Sequence, residues 1–121
     1  MSRRIEDLTE ELQELYHQFD AAMQAAGIDY IVTCTRRTQK EQDALYEQGR
    51  SRPGRIVTWT RNSKHLTGEA FDIVVMNNGK PDWNVENQNW TRAGAIGRKV
   101  GLSWGGNWLT CREYPHFEKA A

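Results

Sequence analysis

Ser63-Lys64-His65-Leu66-Thr67-Gly68-Glu69-Ala70-Phe71-Asp72, answered far along the chain by Glu113-Tyr114-Pro115-His116, holds the reading on which the fold turns. The two segments offer two imidazoles, one strand-borne carboxylate and a spare acid. A catalytic zinc site needs that inventory: three protein ligands, an open fourth position for water, and a carboxylate to take the water's proton. His65 falls in a loop just ahead of a strand that carries Asp72. Gly68 lets the chain turn sharply between them, and Ala70 leaves room for close packing. Within the strand, Ala70 and Asp72 share a face by its period of two. An aspartate flanked by Phe71 and Ile73-Val74-Val75 is costly to bury unless a cation compensates it. A metal ion or an arginine would serve, and these residues alone leave both open.

His116 supplies the third candidate ligand. Pro115 stiffens the backbone directly before it, and Phe117 is expected to point to the opposite face, into the core. Glu113 lies three residues upstream, in a turn that could bring it beside a metal without ligating it, where it could accept and return a proton. Its plainer reading is a solvated acid paired with Arg112. Glu118, on the same strand face as His116, is the rival base.

Moving outward, 121 residues fit one domain, expected to span 1–121 as a single catalytic unit. Sixteen basic and sixteen acidic residues cancel, which removes any bulk-charge argument for binding nucleic acid or an acidic membrane. Arg3 and Arg4 are followed at once by Glu6 and Asp7, so no signal peptide is expected, and no apolar run is long enough to span a membrane. Cys34 and Cys111 fit no metal spacing and read as two reduced, mostly buried thiols, a disulfide between them staying open.

The apolar spacing predicts a helix over 5–26 with Ile5, Leu8, Leu12, Leu15, Phe19 and Met23 on one side, and His17 as an ordinary helix residue. A strand is expected at Tyr30-Ile31-Val32-Thr33-Cys34. Thr38 and Glu41 form the ends of a capping box for a helix running to about Gln48. Ile56-Val57-Thr58-Trp59 reads as a strand, 69–75 as a strand central to the sheet, and 87–100 as a helix with Trp90, Ala93, Ile96 and Val100 on one face. A closing strand carries His116-Phe117-Glu118. These elements do not alternate as βαβ units, so the fold class is α+β: a small, mainly antiparallel sheet packed with helices.

Ser63, His65, Gly68, Ala70 and Asp72, followed by Glu113 and His116, resemble the signature of the zinc peptidoglycan peptidases, the D-alanyl-D-alanine dipeptidases and L-alanyl-D-glutamate endopeptidases. The resemblance extends to Arg37-Thr38 with Gln42, Tyr46 and Gly49-Arg50, and to Gly101-Leu102-Ser103-Trp104-Gly105-Gly106-Asn107-Trp108. It covers most of residues 30–118 and is nearest to the endopeptidase branch found in phage endolysins. It implies the hedgehog/D-Ala-D-Ala peptidase fold, with His65, Asp72 and His116 as ligands of a zinc ion and Glu113 as catalytic base. Arg37 would bind substrate and steady the developing oxyanion, Arg36 being the other possible occupant of that role. Ser63 would bond substrate or support the ligand loop, and Trp104 and Trp108 would line the groove or sit in the core. Thr38, Asn107 and Arg36 depart from the family's pattern, and none touches the proposed ligands.

The function this resemblance implies is hydrolysis of the L-alanyl-D-glutamate bond in bacterial stem peptides by a phage or prophage endolysin. It would be made in the cytoplasm and act on the cell wall after release. The expected partners are the peptidoglycan substrate and a holin-type release protein, with no nucleic acid, no stable membrane insertion and a monomeric state. The rivals are a D,D-dipeptidase or carboxypeptidase acting on D-alanyl-D-alanine ends, and a zinc-bearing wall-binding module without catalysis.

Overall fold

The apolar run after Asp72 does form the middle of a sheet. In the computed structural model, which describes residues 1–120, β2 (Ala70–Asn77) lies between β1 (Tyr30–Cys34) and β5 (His116–Lys119). β4 (Leu102–Trp104) lies outside β5, and the short β3 (Lys80–Pro81) pairs with the far end of β2. Every one of these pairings is antiparallel. Asn78 (φ 54°) and Gly79 (φ 77°) close the β2–β3 hairpin, both in the left-handed region that tight hairpin turns require. No helix among the described residues is long and apolar enough to cross a membrane.

Helices α1 (Glu10–Ala25) and α3 (Gln88–Val100) supply the core that covers this sheet, while α2 (Gln39–Glu47) buries only Gln42. α1 buries Leu12, Phe19 and Met23. It starts later than its apolar stripe suggests, because the Thr9 side chain caps it by accepting from the Leu12 amide at 3.3 Å. Upstream, Ile5–Asp7 form a separate 3-10 turn, and Leu8 still reaches the core. α2 has the expected capping box, Thr38 and Glu41 bonding each other's backbone. On α3 the buried face is Trp90, Ala93, Gly94 and Gly97, with Ile96 and Val100 only partly covered.

Ile56-Val57-Thr58-Trp59 forms no strand. Its β-branched residues favour extended backbone, but that preference needs a neighbouring strand to pair with. Side chains hold the segment instead: Gln42 Nε2 donates to Thr60 O at 2.7 Å, Gln48 Nε2 to Arg55 O at 3.0 Å, and Arg50 to Thr58 O at 3.2 Å. Ile56, Val57 and Trp59 are consequently exposed. Both cysteines are free, but only Cys34 is buried; Cys111 is exposed and sits at φ 55° in the loop before β5.

The core is aromatic. Phe71 and Phe117 face each other across β2 and β5, their rings stacked at 5.5 Å, and Phe19 of α1 closes over both at 5.6 and 5.0 Å. α3 approaches closely because it presents glycines. A Cβ at Gly94 would lie 2.3 Å from the Trp104 ring. Gly94→Ala is therefore expected to cost about 1–3 kcal/mol through overpacking, read as a lower urea midpoint at unchanged slope. An unaltered midpoint would show that Trp104 can move aside.

Candidate metal centre

Strand register sets the site. Asp72 lies directly opposite His116, Ala70 opposite Glu118, and Phe71 opposite Phe117. Because side chains alternate, Asp72, His116 and Glu118 share one face while both phenylalanines take the other. His65 comes from a 3-10 turn, Lys64–Thr67, that Ser63 opens by accepting from the His65 amide at 3.2 Å. Gly68 closes the turn at φ 73°, where a Cβ would stand 2.7 Å from the Asp7 carbonyl. Only glycine meets both demands.

Asp72 Oδ1 lies 3.0 Å from His65 Nε2 and 3.3 Å from His116 Nδ1. These atoms all fall within 4.8 Å of one another, so the three residues could hold a metal ion between them. Each ring is gripped from behind. His65 Nδ1 donates to Thr35 O at 2.8 Å, and His116 Nε2 donates to Glu118 Oε1 at 2.8 Å. Such outer bonds fix which nitrogen faces inward and raise its basicity. The inward His116 Nδ1 is buried without a hydrogen-bond partner, as a nitrogen reserved for a metal would be. Two imidazoles and a carboxylate match the donor preferences of a catalytic divalent site.

The charges reinforce one another. Burial disfavours the imidazolium of His65, but bonds to Asp72 and Cys34 outweigh it and push its pKa up to about 10. His116 is likewise carried up to about 9 by Asp72 and Glu118 against burial. Burial also opposes the charge on Asp72, yet the two imidazoles hold its carboxyl well below the usual range. A metal held by the same nitrogens would compete with protons for them, so its binding would weaken as the pH falls.

Glu113 enters from the turn before β5, its carboxylate 4.0 Å from His116 Nδ1. Burial pushes its pKa up, against the pull of His116. Glu118 differs: its bond to His116 holds it low, and it lies on the outer nitrogen of that ring. That bond occupies the rival base as a support. Arg37 is only 11% exposed; it donates to Asp72 Oδ2 at 3.1 Å and to Gln42 Oε1 at 2.8 Å. The arginine partner that the sequence left open for Asp72 is thus present, alongside the imidazoles. Arg36 makes no side-chain contact with this cluster among the described residues.

A cleft of about 630 Å³ opens over Asp72, Arg37 and Glu113. Val57 of the 55–58 segment and Trp83 and Val85 of the loop before α3 line it. Trp104, for which groove and core were both open, does not: it is buried in the core, with Nε1 donating to Tyr114 O at 2.8 Å. Trp108 packs its ring 5.3 Å from that of His116. Ser63 caps the turn that carries His65. Gln42, which entered only as part of the resemblance, proves fully buried and joins Arg37 to the 58–60 segment. Sequence reasoning missed the Thr35 carbonyl behind His65, which no side-chain pattern signals.

This sheet, with a His–Asp–His cluster and a half-buried acid at the mouth of a cleft, is the architecture of a peptidase. The chain belongs to the M15 peptidases: the profile of their D-alanyl-D-alanine carboxypeptidase family matches residues 57–119. The peptidoglycan L-alanyl-D-glutamate endopeptidase CwlK of Bacillus subtilis (strain 168) is 40% identical over 108 residues, covering 81% of this chain and 65% of that protein. The L-alanyl-D-glutamate peptidase of Listeria phage A118 is 29% identical over 93 residues, covering 76% of this chain and 31% of that one. The chain thus spans less than two thirds of the length of either relative. Among solved structures, the Serratia marcescens L-Ala D-Glu endopeptidase ChiX superposes with a TM-score of 0.76 at 21% identity, over 96% of this chain and 83% of its own. The LD-carboxypeptidase LdcB does so at 0.71 and 18%, over 98% and 63%. At these identities the two superpositions show the fold alone.

Glu118→Ala would free the His116 ring to turn. It is expected to weaken binding of a divalent transition metal about 10–100-fold, measured by competition with a chromogenic chelator, with the circular dichroism unchanged. Equal affinity would remove Glu118 from the design of the site.

Proposed function

We propose that this chain is a zinc metallopeptidase cleaving the L-alanyl-D-glutamate bond of bacterial peptidoglycan stem peptides. The observation that carries the reading is the convergence of His65, Asp72 and His116 beside Glu113 on one face of the β2–β5 pair. The names of the Bacillus and Listeria phage relatives support the bond chosen. Residues 1–121 would act as one catalytic unit.

In this reading His65, Asp72 and His116 hold the zinc ion, which when bound polarises a substrate carbonyl and acidifies an attacking water. Glu113 accepts a proton from that water and returns it to the departing nitrogen. Its raised pKa suits both halves, since a base closer to neutrality also serves as an acid. Arg37, steadied by Gln42 and Asp72, keeps positive charge beside the carbonyl oxygen as it turns anionic, an interaction stronger in the transition state than in the substrate. Ser63 keeps His65 in place.

The phage relative supports a lytic role, in which a soluble protein reaches the wall after release by a holin-type partner. The matching family profile favours a second reading, removal of a terminal D-alanine from D-alanyl-D-alanine ends. Mass spectrometry of digested peptidoglycan separates the two by their new termini: free D-glutamyl amines in the first case, shortened stem ends in the second. Glu113→Ala is expected to retain zinc, counted by metal analysis, while turnover falls at least about 100-fold, the usual contribution of a general base. Full wall-degrading activity in that variant would remove Glu113 from the chemistry. Wall binding without hydrolysis by the unaltered protein would favour a non-catalytic module.

A further inference from the structure

Two arginines on the cleft have no role in the steps above. Arg55 and Arg112 both line it, with Arg37, Asp72 and Glu113. The acids of the cleft are already engaged: Asp72 with Arg37 and both imidazoles, Glu113 facing His116. Among the described residues, ion pairs take up Arg4, Arg37, Arg52 and Arg61, but neither Arg55 nor Arg112. Arg112 is nonetheless held: its Nε donates to Trp108 O at 3.0 Å, and the Trp108 ring packs on His116. The planar end of this guanidinium is left to bind something else.

We propose that Arg112, assisted by Arg55, binds the free α-carboxylate of the residue that departs when the peptide bond is cut. This rests on the function proposed above. Glu113 returns its proton to the departing nitrogen, and the α-carboxylate of that residue is one carbon from the same nitrogen. A cation that follows Glu113's position in the cleft therefore meets a carboxylate on the departing side, and Arg112 is its immediate chain neighbour. D-glutamate linked onward through its side chain keeps its α-carboxylate free, so the substrate carries the matching charge. A guanidinium suits that partner, because its planar donors take a carboxylate's two oxygens together. Amidation of the α-carboxylate would remove the charge and one acceptor, and the cleft would discriminate between the two forms of wall peptide.

The test uses two synthetic peptides, L-Ala-γ-D-Glu-L-Lys with its glutamyl α-carboxylate free and the same peptide as the α-amide. The zinc-loaded protein is expected to favour the free acid about tenfold in kcat/KM, the scale of one hydrogen bond to a charged group. In Arg112→Gln that preference should fall to within about twofold, mostly through KM on the free acid, while Arg112→Lys keeps part of it. Arg55→Gln should give a smaller loss in the same direction. Binding is read separately in the Glu113→Gln variant, through tryptophan fluorescence from Trp83 and Trp90 on the cleft. There, Arg112→Gln should weaken the free acid about tenfold and leave the amide unchanged. Equal handling of acid and amide by the unaltered protein, or a preference that survives Arg112→Gln, overturns the proposal. Failure to cut either peptide would count against the proposed activity, and the fluorescence titration would still decide on Arg112.

Discussion

The pairing of β2 with β5 is the constraint on which everything else depends. With Asp72 opposite His116, one face of two short strands carries the polar cluster and the other carries the stacked pair Phe71 and Phe117. A slip of a single residue would exchange the faces, driving carboxylates into the aromatic core and phenylalanines into the cleft. The burial energy of the aromatic side therefore also fixes the geometry of the polar side. Phe19 of α1 adds to that lock, as does the close seat of α3 against Trp104 and Phe117 through Gly94 and Gly97.

On the polar face the organising fact is one partly buried carboxylate with two imidazoles and a guanidinium around it. Asp72 faces both imidazoles through one oxygen and Arg37 through the other. The two imidazoles hold that carboxyl's pKa well below its ordinary value, against the burial that opposes its charge. Each group around it is braced in turn, His65 by Thr35, His116 by Glu118, and Arg37 by Gln42. Such bracing keeps the cluster ordered before any ligand arrives, so little reorganisation is needed when one does.

Much of this was readable in the amino-acid order, for reasons that differ by residue. His65, Asp72 and His116 stand out because an acid inside an apolar strand demands compensation, and Gly68 and Pro115 mark the turns that deliver the imidazoles. The central strand and the capping box of α2 were legible because both are local patterns. The 56–59 segment misled because β-branching reports a local preference while pairing depends on distant neighbours. Trp104 stayed open between groove and core because a tryptophan's identity does not say which side of a sheet it occupies. Gln42 entered through the resemblance alone: in a helix rich in polar residues no local pattern separates a fully buried glutamine from a solvated one, until the fold sets it between Arg37 and Thr60.

The strict alternation along β5 separates two kinds of tolerance in neighbouring positions. Phe117 answers to the core, so changes there threaten solubility and yield. His116 and Glu118 flank it on the other side of the same strand, where an altered residue leaves the aromatic packing intact. Evolution can therefore retune the chemistry of this strand, or silence it, while keeping a protein that still folds. Such an arrangement allows one scaffold to diverge into hydrolases of different bonds and into inert binding proteins.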